Sequence, residues 1–259
     1  IQDYHPKKRW LSVPEILIYS SNIGAAKMAL DVGSSAMRKF LGRLGLLRPS
    51  AVELPEIGAP MVPTPWREIN TMTISYGHGL AVSPLQLTTG ISTMVNGGYL
   101  RPATLLLDQT DKGKTADNEI RVISERTSQK IRRLMRLVVD KGTGRKAAAP
   151  GYLVGGKTGT AEKSGNGSYR AKALLSSFVS AFPMNDPEYV VFIMLDEPKG
   201  LDETLGYATG GWVAAPSVGR TIARIGPLLG ISPVDEKSDE IRAEMHIDVA
   251  TRAASLASF

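Results

Sequence analysis

Lys157, Thr158, Gly159 and Thr160 stand in a row where an apolar run, Tyr152-Leu153-Val154, meets the polar stretch Glu162-Lys163-Ser164. A cation, two hydroxyls and a bare glycine backbone side by side can hold a carboxylate and an anionic tetrahedral intermediate, as acyl transfer requires. Alternation along a strand puts Thr158 and Thr160 on one side and Lys157 with Gly159 on the other, and strand twist lets the two sets converge. Gly159 leaves the edge open to an acyl chain lying alongside as an added strand. A backbone N–H just past it is a candidate oxyanion donor. The bland alternative is a strand end with a solvated lysine. Gly155-Gly156 before the triplet, Thr160-Ala161 after it and the strand–turn–strand pattern behind weigh against that alternative.

The elements that must position these groups follow from periodicity and capping. Strands are expected at 152–162, 173–182 and 189–196, with Asn185-Asp186-Pro187 turning between the last two. A helix from Gly210 to Leu229 should pack over them, although Gly219 weakens its middle. At the other end, Ser12-Val13-Pro14-Glu15 forms a capping-box pattern that starts a helix near Val13. It should break at Ser20-Ser21-Asn22 and resume through Gly24–Leu30, leaving Ser20 and Asn22 on a corner. A further helix is expected over Ala36–Leu44, and the proline-rich residues 48–68 read as an ordered loop. Ser83-Pro84 opens a helix that ends at Asn96-Gly97-Gly98. A short strand is expected at Tyr99–Leu107, a polar excursion at Asp108–Asn118, and a helix from Ser124 or Thr127 to Val139 with Ile131, Leu134, Met135 and Val138 inward.

The chain has 259 residues, 42% hydrophobic and 22% charged, enough for a full core, and nothing in it suggests disorder, collagen or a coiled coil. Its charge of +6 is scattered; the densest group, Lys130–Arg136, reads as the wet face of a helix, so no nucleic-acid partner is expected. No run approaches the ~20 apolar residues of a membrane span. Cysteine is absent, which excludes disulfides and thiolate catalysis. His5, His78 and His246 lack zinc-ligand spacing, so neither metal nor cofactor is expected. His78 reads as a loop histidine bonded to backbone, Asp196-Glu197 as a turn before Pro198, and Trp66 and Trp212 as packing residues.

Lys157-Thr158-Gly159 and Ser20-Ser21-Asn22 are two of the three motifs that mark penicillin-binding serine acyltransferases. With Ile16–Gly24, the segment Gly77-His78-Gly79-Leu80-Ala81-Val82-Ser83-Pro84-Leu85-Gln86, and Leu195-Asp196-Glu197-Pro198, the chain resembles class B penicillin-binding proteins over roughly residues 10 to 230. Within that class it is similar to the division-specific peptidoglycan D,D-transpeptidases. The resemblance implies an α+β transpeptidase fold of the penicillin-binding/β-lactamase type: an antiparallel sheet covered by helices, plus a helical subdomain carrying Ser20 and Asn22. Ser20 would relay a proton between the motif lysines and the leaving nitrogen. Asn22 would bind the amide of the acyl group. Lys157 would polarise Ser20, and Thr158 and Thr160 would bind the terminal carboxylate of D-Ala or of a β-lactam.

The third motif, Ser-x-x-Lys with the nucleophile, is missing: no serine here has a lysine three residues on. Thr127-Ser128-Gln129-Lys130 has the spacing with the wrong first residue. The resemblance therefore implies that residues 1–231 are the C-terminal part of a transpeptidase domain, with 232–259 a tail, either disordered or helical. The nucleophile, a pedestal and a membrane anchor would lie upstream, and these residues alone would be inactive. Peptidoglycan stem peptides, β-lactams and other division proteins are the implied partners, at the periplasmic face of the bacterial inner membrane. Two rivals stand beside this reading. A β-lactamase would need a deacylating carboxylate, and no Glu-x-x-Leu-Asn stretch supplies one. A non-catalytic penicillin-recognising or scaffold domain would lack the nucleophile altogether.

Overall fold

Where apolar residues recur every three to four positions opposite an alternating strand, a helix must lie on a sheet, and this pairing builds the main core. A computed structural model of the chain describes residues 1–106, 120–165 and 168–249, and the side chains of all of these except 164–172. The expected excursion at Asp108–Asn118 and the end of the tail from 250 lie outside the described residues.

Two compact units form, one from residues 1–25 with 132–259, the other from 26–131. In the first, β3 (Gly155–Gly165), β4 (Ser168–Phe182) and β5 (Tyr189–Asp196) make an antiparallel sheet in that order. Lys157 pairs with Val179 and Gly159 with Ser177, and Val179 pairs onward with Phe192. Helix α7 (Gly210–Leu228) covers the sheet with Ala214, Ala215, Val218 and Ile222, all at 0% exposure. They share one buried cluster with Phe178 and Phe182 of β4, to which Tyr152 and Val154 also belong. Helix α1 (Val13–Tyr19) starts where expected: the Ser12 N–H donates to Glu15 at 2.9 Å, and Arg9 closes on the same carboxylate at 2.6 Å. Helix α2 (Asn22–Val32) follows after the corner.

The strand expected to begin at Tyr152 begins at Gly155 instead. The reason is that other groups take the backbone of the lead-in. The Leu153 N–H donates to Glu236, the Val154 carbonyl accepts from Arg136, and Leu153 takes φ +41°. The basic group read as a wet helix face is corrected by the same contacts. On α6 (Glu125–Lys141), Arg136 also pairs with Glu236 at 2.8 Å, and Arg132 donates to the Asn185 carbonyl. The tail carries a helix, α8 (Asp239–Met245), and returns Glu236 to the sheet unit.

The second unit is largely helical: α3 (Ser34–Arg43), α4 (Glu68–Ser75) and α5 (Pro84–Val95), with a two-stranded ladder of β1 (Tyr99–Leu100) and β2 (Ile120–Arg121). Leu44, Leu100 and Val122 form its buried cluster with Phe40, Leu46, Met94 and Ile123. Helix α5 opens as the Ser83-Pro84 signal requires, with Ser83 Oγ accepting from the Gln86 N–H. Helix α4 was not anticipated, because its N-cap is Arg67. There the Arg67 N–H donates to Asn70 Oδ1 at 2.8 Å and the Asn70 N–H to the Arg67 carbonyl at 2.9 Å, a cap that no Ser, Thr or Asp announces. The strand expected at Tyr99–Leu107 is two residues long in its described part. Ser20 and Asn22 lie in the unit that contains the sheet, not in this helical one.

Candidate active site

Ser20 terminates α1 in the left-handed conformation, φ +55° and ψ +51°. For a non-glycine residue this backbone is strained, and such strain is held only where the surroundings over-determine it. They do so here. Ser21 is buried as the N-cap of α2, its hydroxyl accepting from the Gly24 N–H at 3.0 Å and donating to Asp3 at 2.8 Å. The other oxygen of Asp3 accepts from the Ile23 N–H at 3.0 Å. Squeezed between one helix end and the next helix start, Ser20 is exposed, with its hydroxyl projecting from the corner.

Lys157 Nζ donates to Ser20 Oγ at 2.8 Å, and also to the Thr158 carbonyl at 3.0 Å and Thr158 Oγ1 at 3.3 Å. The corner and the strand are thus joined by a cation-to-hydroxyl bond. Among the described residues no carboxylate forms an ion pair with Lys157. Burial of the ammonium without such a partner pushes its pKa down to about 8. Within this site Lys157 is therefore able to exchange a proton near neutral pH, which an exposed lysine is not.

Thr160 Oγ1 accepts from the Gly210 N–H at 3.0 Å, so its own proton is free to donate elsewhere. Gly210 is the first residue of α7, and the helix start presses onto β3. A Cβ at Gly210 would run into the carbonyls of Gly159 and Ser177. The start of a 19-residue helix, with its positive dipole end, consequently abuts the strand at Gly159 and Thr160. Thr158 Oγ1 meets Thr143 Oγ1 at 2.9 Å.

Asn22 is the first residue of α2, and its side-chain nitrogen donates to the Gln2 carbonyl at 2.9 Å. Its amide is thereby engaged by the residues that lead into the corner. Sequence reasoning missed Asp3, Thr143 and the Gly210 N–H. Asp3 lies 18 residues before Ser21, and no local pattern links the two. Lys163 pairs with Asp196 at 2.8 Å and Glu197 at 3.1 Å, so the turn before Pro198 is an ion-pair anchor. Trp66 donates to Thr71, and Trp212 stacks on Tyr207 beneath Lys146, as packing residues do. Among the described residues no group of His, Asp and Glu could hold a metal ion.

A hydroxyl on a strained backbone corner, a desolvated lysine and two threonines on a glycine-bearing strand thus meet in one place. Residues 1–223 match the penicillin binding protein transpeptidase domain. The chain belongs to that family. It is 41% identical over 240 residues to a probable peptidoglycan D,D-transpeptidase FtsI of Caulobacter vibrioides, covering 89% of this chain and 40% of that protein. Against the stage V sporulation protein D of Bacillus subtilis it is 33% identical, covering 85% and 34%. The chain thus spans well under half the length of these relatives. Among solved structures, the transpeptidase domain of Burkholderia pseudomallei penicillin-binding protein 3 superposes with a TM-score of 0.75 at 34% identity, covering 87% of this chain and 66% of that one. A penicillin-binding protein 3 from Mycobacterium tuberculosis complexed with ampicillin superposes with a TM-score of 0.80 at 25% identity, covering 92% and 56%.

Proposed function

We propose that these residues form part of a peptidoglycan D,D-transpeptidase that cross-links stem peptides during septal synthesis, at the periplasmic face of the inner membrane. The observation that carries this reading is the 2.8 Å bond from Lys157 to Ser20, with Thr158 and Thr160 beside it, in a chain of this family. Residues 1–231 make up the C-terminal part of the transpeptidase domain, and 232–259 are a tail whose described part is tied back through Glu236.

On this reading the terminal carboxylate of the stem peptide is held by Thr158 and Thr160, whose oxygens are already oriented by Thr143 and Gly210. Gly159 lets the peptide lie along β3. Asn22 binds the amide of the acyl group once its nitrogen turns from Gln2. The family serine, in a longer protein containing these residues, gives its proton to the lysine of its own motif as it attacks the penultimate carbonyl. The intermediate collapses with release of D-Ala, whose nitrogen takes a proton relayed by Ser20 and replenished by Lys157. An amine of a second stem peptide then attacks the ester, forming the cross-link and freeing the serine. A lysine with a pKa of about 8 suits this exchange, since each protonation state is populated near neutrality. β-Lactams would acylate the same serine, and other division proteins would bind through the longer protein.

Fluorescent penicillin tests the reading. A covalent adduct is expected on the longer protein and none on these 259 residues. Lys157→Met in the longer protein should slow labelling by about 100-fold. A folded longer protein that takes no label would sink the proposal and favour a non-catalytic penicillin-recognising or scaffold domain.

A further inference from the structure

We propose that Thr143 is a positioning residue for this site: its hydroxyl sets the direction in which the Thr158 hydroxyl points its proton, and Thr158 in turn orients Lys157. The proposal rests on the transpeptidase reading for its catalytic consequence, but the hydrogen-bond chain itself stands on geometry.

Thr143 sits in the turn Gly142-Thr143-Gly144 that follows α6. Its N–H donates to the Ile18 carbonyl at 3.3 Å, two residues before Ser20, and its Oγ1 lies 2.9 Å from Thr158 Oγ1. One residue therefore touches both elements that carry the site. The turn approaches α1 so closely that a Cβ at Gly142 would meet the Ile18 and Val138 carbonyls at 2.9 Å. That contact fixes where the Thr143 hydroxyl stands.

The direction of the chain follows from donor and acceptor inventory. An ammonium only donates, so Lys157 Nζ gives a proton to Thr158 Oγ1. An oxygen that accepts from a cation becomes a better donor, and its proton turns away from that cation. Thr143 Oγ1 is the side-chain acceptor within reach. In the resting site the order is thus Lys157 to Thr158 to Thr143. When a substrate carboxylate arrives, Thr158 must turn its proton to it. Thr143, a hydroxyl with one donor and two acceptor positions, can then reverse and donate to Thr158. A hydroxyl at position 143 satisfies Thr158 in both states; a methyl satisfies neither.

The test compares Thr143→Val, the same shape without the hydroxyl, with Thr143→Ser, which keeps it. In the 259-residue chain, the Lys157 pKa is read by NMR of labelled lysine. In Thr143→Val the Thr158 proton loses its acceptor and turns to the neutral Lys157 amine, so the pKa should fall by about half a unit or more, with Thr143→Ser returning it. In the longer protein, the rate of fluorescent-penicillin acylation against pH should fall about tenfold in Thr143→Val and recover to within about threefold in Thr143→Ser. A Lys157 pKa and a pH profile unchanged in Thr143→Val would overturn the proposal. So would a Thr143→Ser that behaves like Thr143→Val, since a hydroxyl at position 143 would then not suffice to orient Thr158. If the wild-type longer protein takes no label, the transpeptidase reading fails, while the NMR titration still decides the role of Thr143.

Discussion

Ser20 holds a left-handed backbone that glycine adopts without strain, and it does so while presenting a hydroxyl to Lys157. Ser20→Gly removes that hydroxyl and relieves the strain together. The variant should hold or raise folding stability, by at most about 1 kcal/mol, while penicillin labelling of the longer protein falls at least tenfold. A drop in Tm with unchanged labelling would mean the corner is purely structural. Lys157 gives a second residue-scale expectation. Its ammonium is desolvated with no carboxylate paired to it among the described residues, so Lys157→Met should leave stability unchanged or improved, checked by denaturant unfolding, while penicillin labelling of the longer protein slows.

The elements are fixed by a few side chains acting at their ends. Helix α1 is tied through Glu15, whose carboxyl is held down to about 2 by its hydrogen bond from Arg9, against the cost of burial and with help from Ser12. Glu15→Gln should cost on the order of 1–3 kcal/mol in denaturant unfolding and loosen the corner that follows. Helix α7 is seated on β3 by an approach that only hydrogen permits at position 210. Gly210→Ala should lift the helix start from Gly159 and Thr160 at a cost of roughly 1–3 kcal/mol, visible as a lowered Tm. The lead-in to β3 is clamped by Arg136 and Glu236 from opposite sides of the sequence. This clamp explains why an apolar run with a strand-like composition is not a strand: its polar backbone is already satisfied by side chains.

At the scale of the whole molecule, stability should lean toward alkaline pH. The Glu15 carboxyl is lowered in the folded state, so its contribution is present above the unfolded value of 4.5 and is lost as pH falls toward about 2. Lys157 is lowered from 10.5 to about 8, so the unfolded chain binds more protons between these values and stability rises across that window. Asp140 works the other way: burial raises its pKa, so it favours the folded state as pH falls through its range. Urea midpoints measured from pH 3 to pH 10 should therefore climb steeply at the acid end and again above about pH 8. A decline between pH 8 and pH 10 would contradict a desolvated Lys157. The net charge of +6 is spread over the chain, and part of its densest group, Arg132 and Arg136, is spent on internal tethers.

What the residues determine alone is whatever rests on neighbours in sequence. The capping box at Ser12, the Ser83-Pro84 start, the strand at 189–196, the later part of β4 and the helix from Gly210 all depend on local pattern, and there local pattern was enough. Lys157, Thr158, Gly159 and Thr160 were legible for the same reason, being consecutive. Only the tertiary structure decided the rest. The bond between Lys157 and Ser20, implied by the family resemblance and by no local pattern, joins residues 137 positions apart. Asp3 beneath Ser21, Thr143 beside Thr158, and Glu236 under Leu153 likewise meet through folding. Each is a single polar group recruited from a distant segment because a buried or strained backbone needs a partner there. No periodicity or spacing encodes which distant group will supply it.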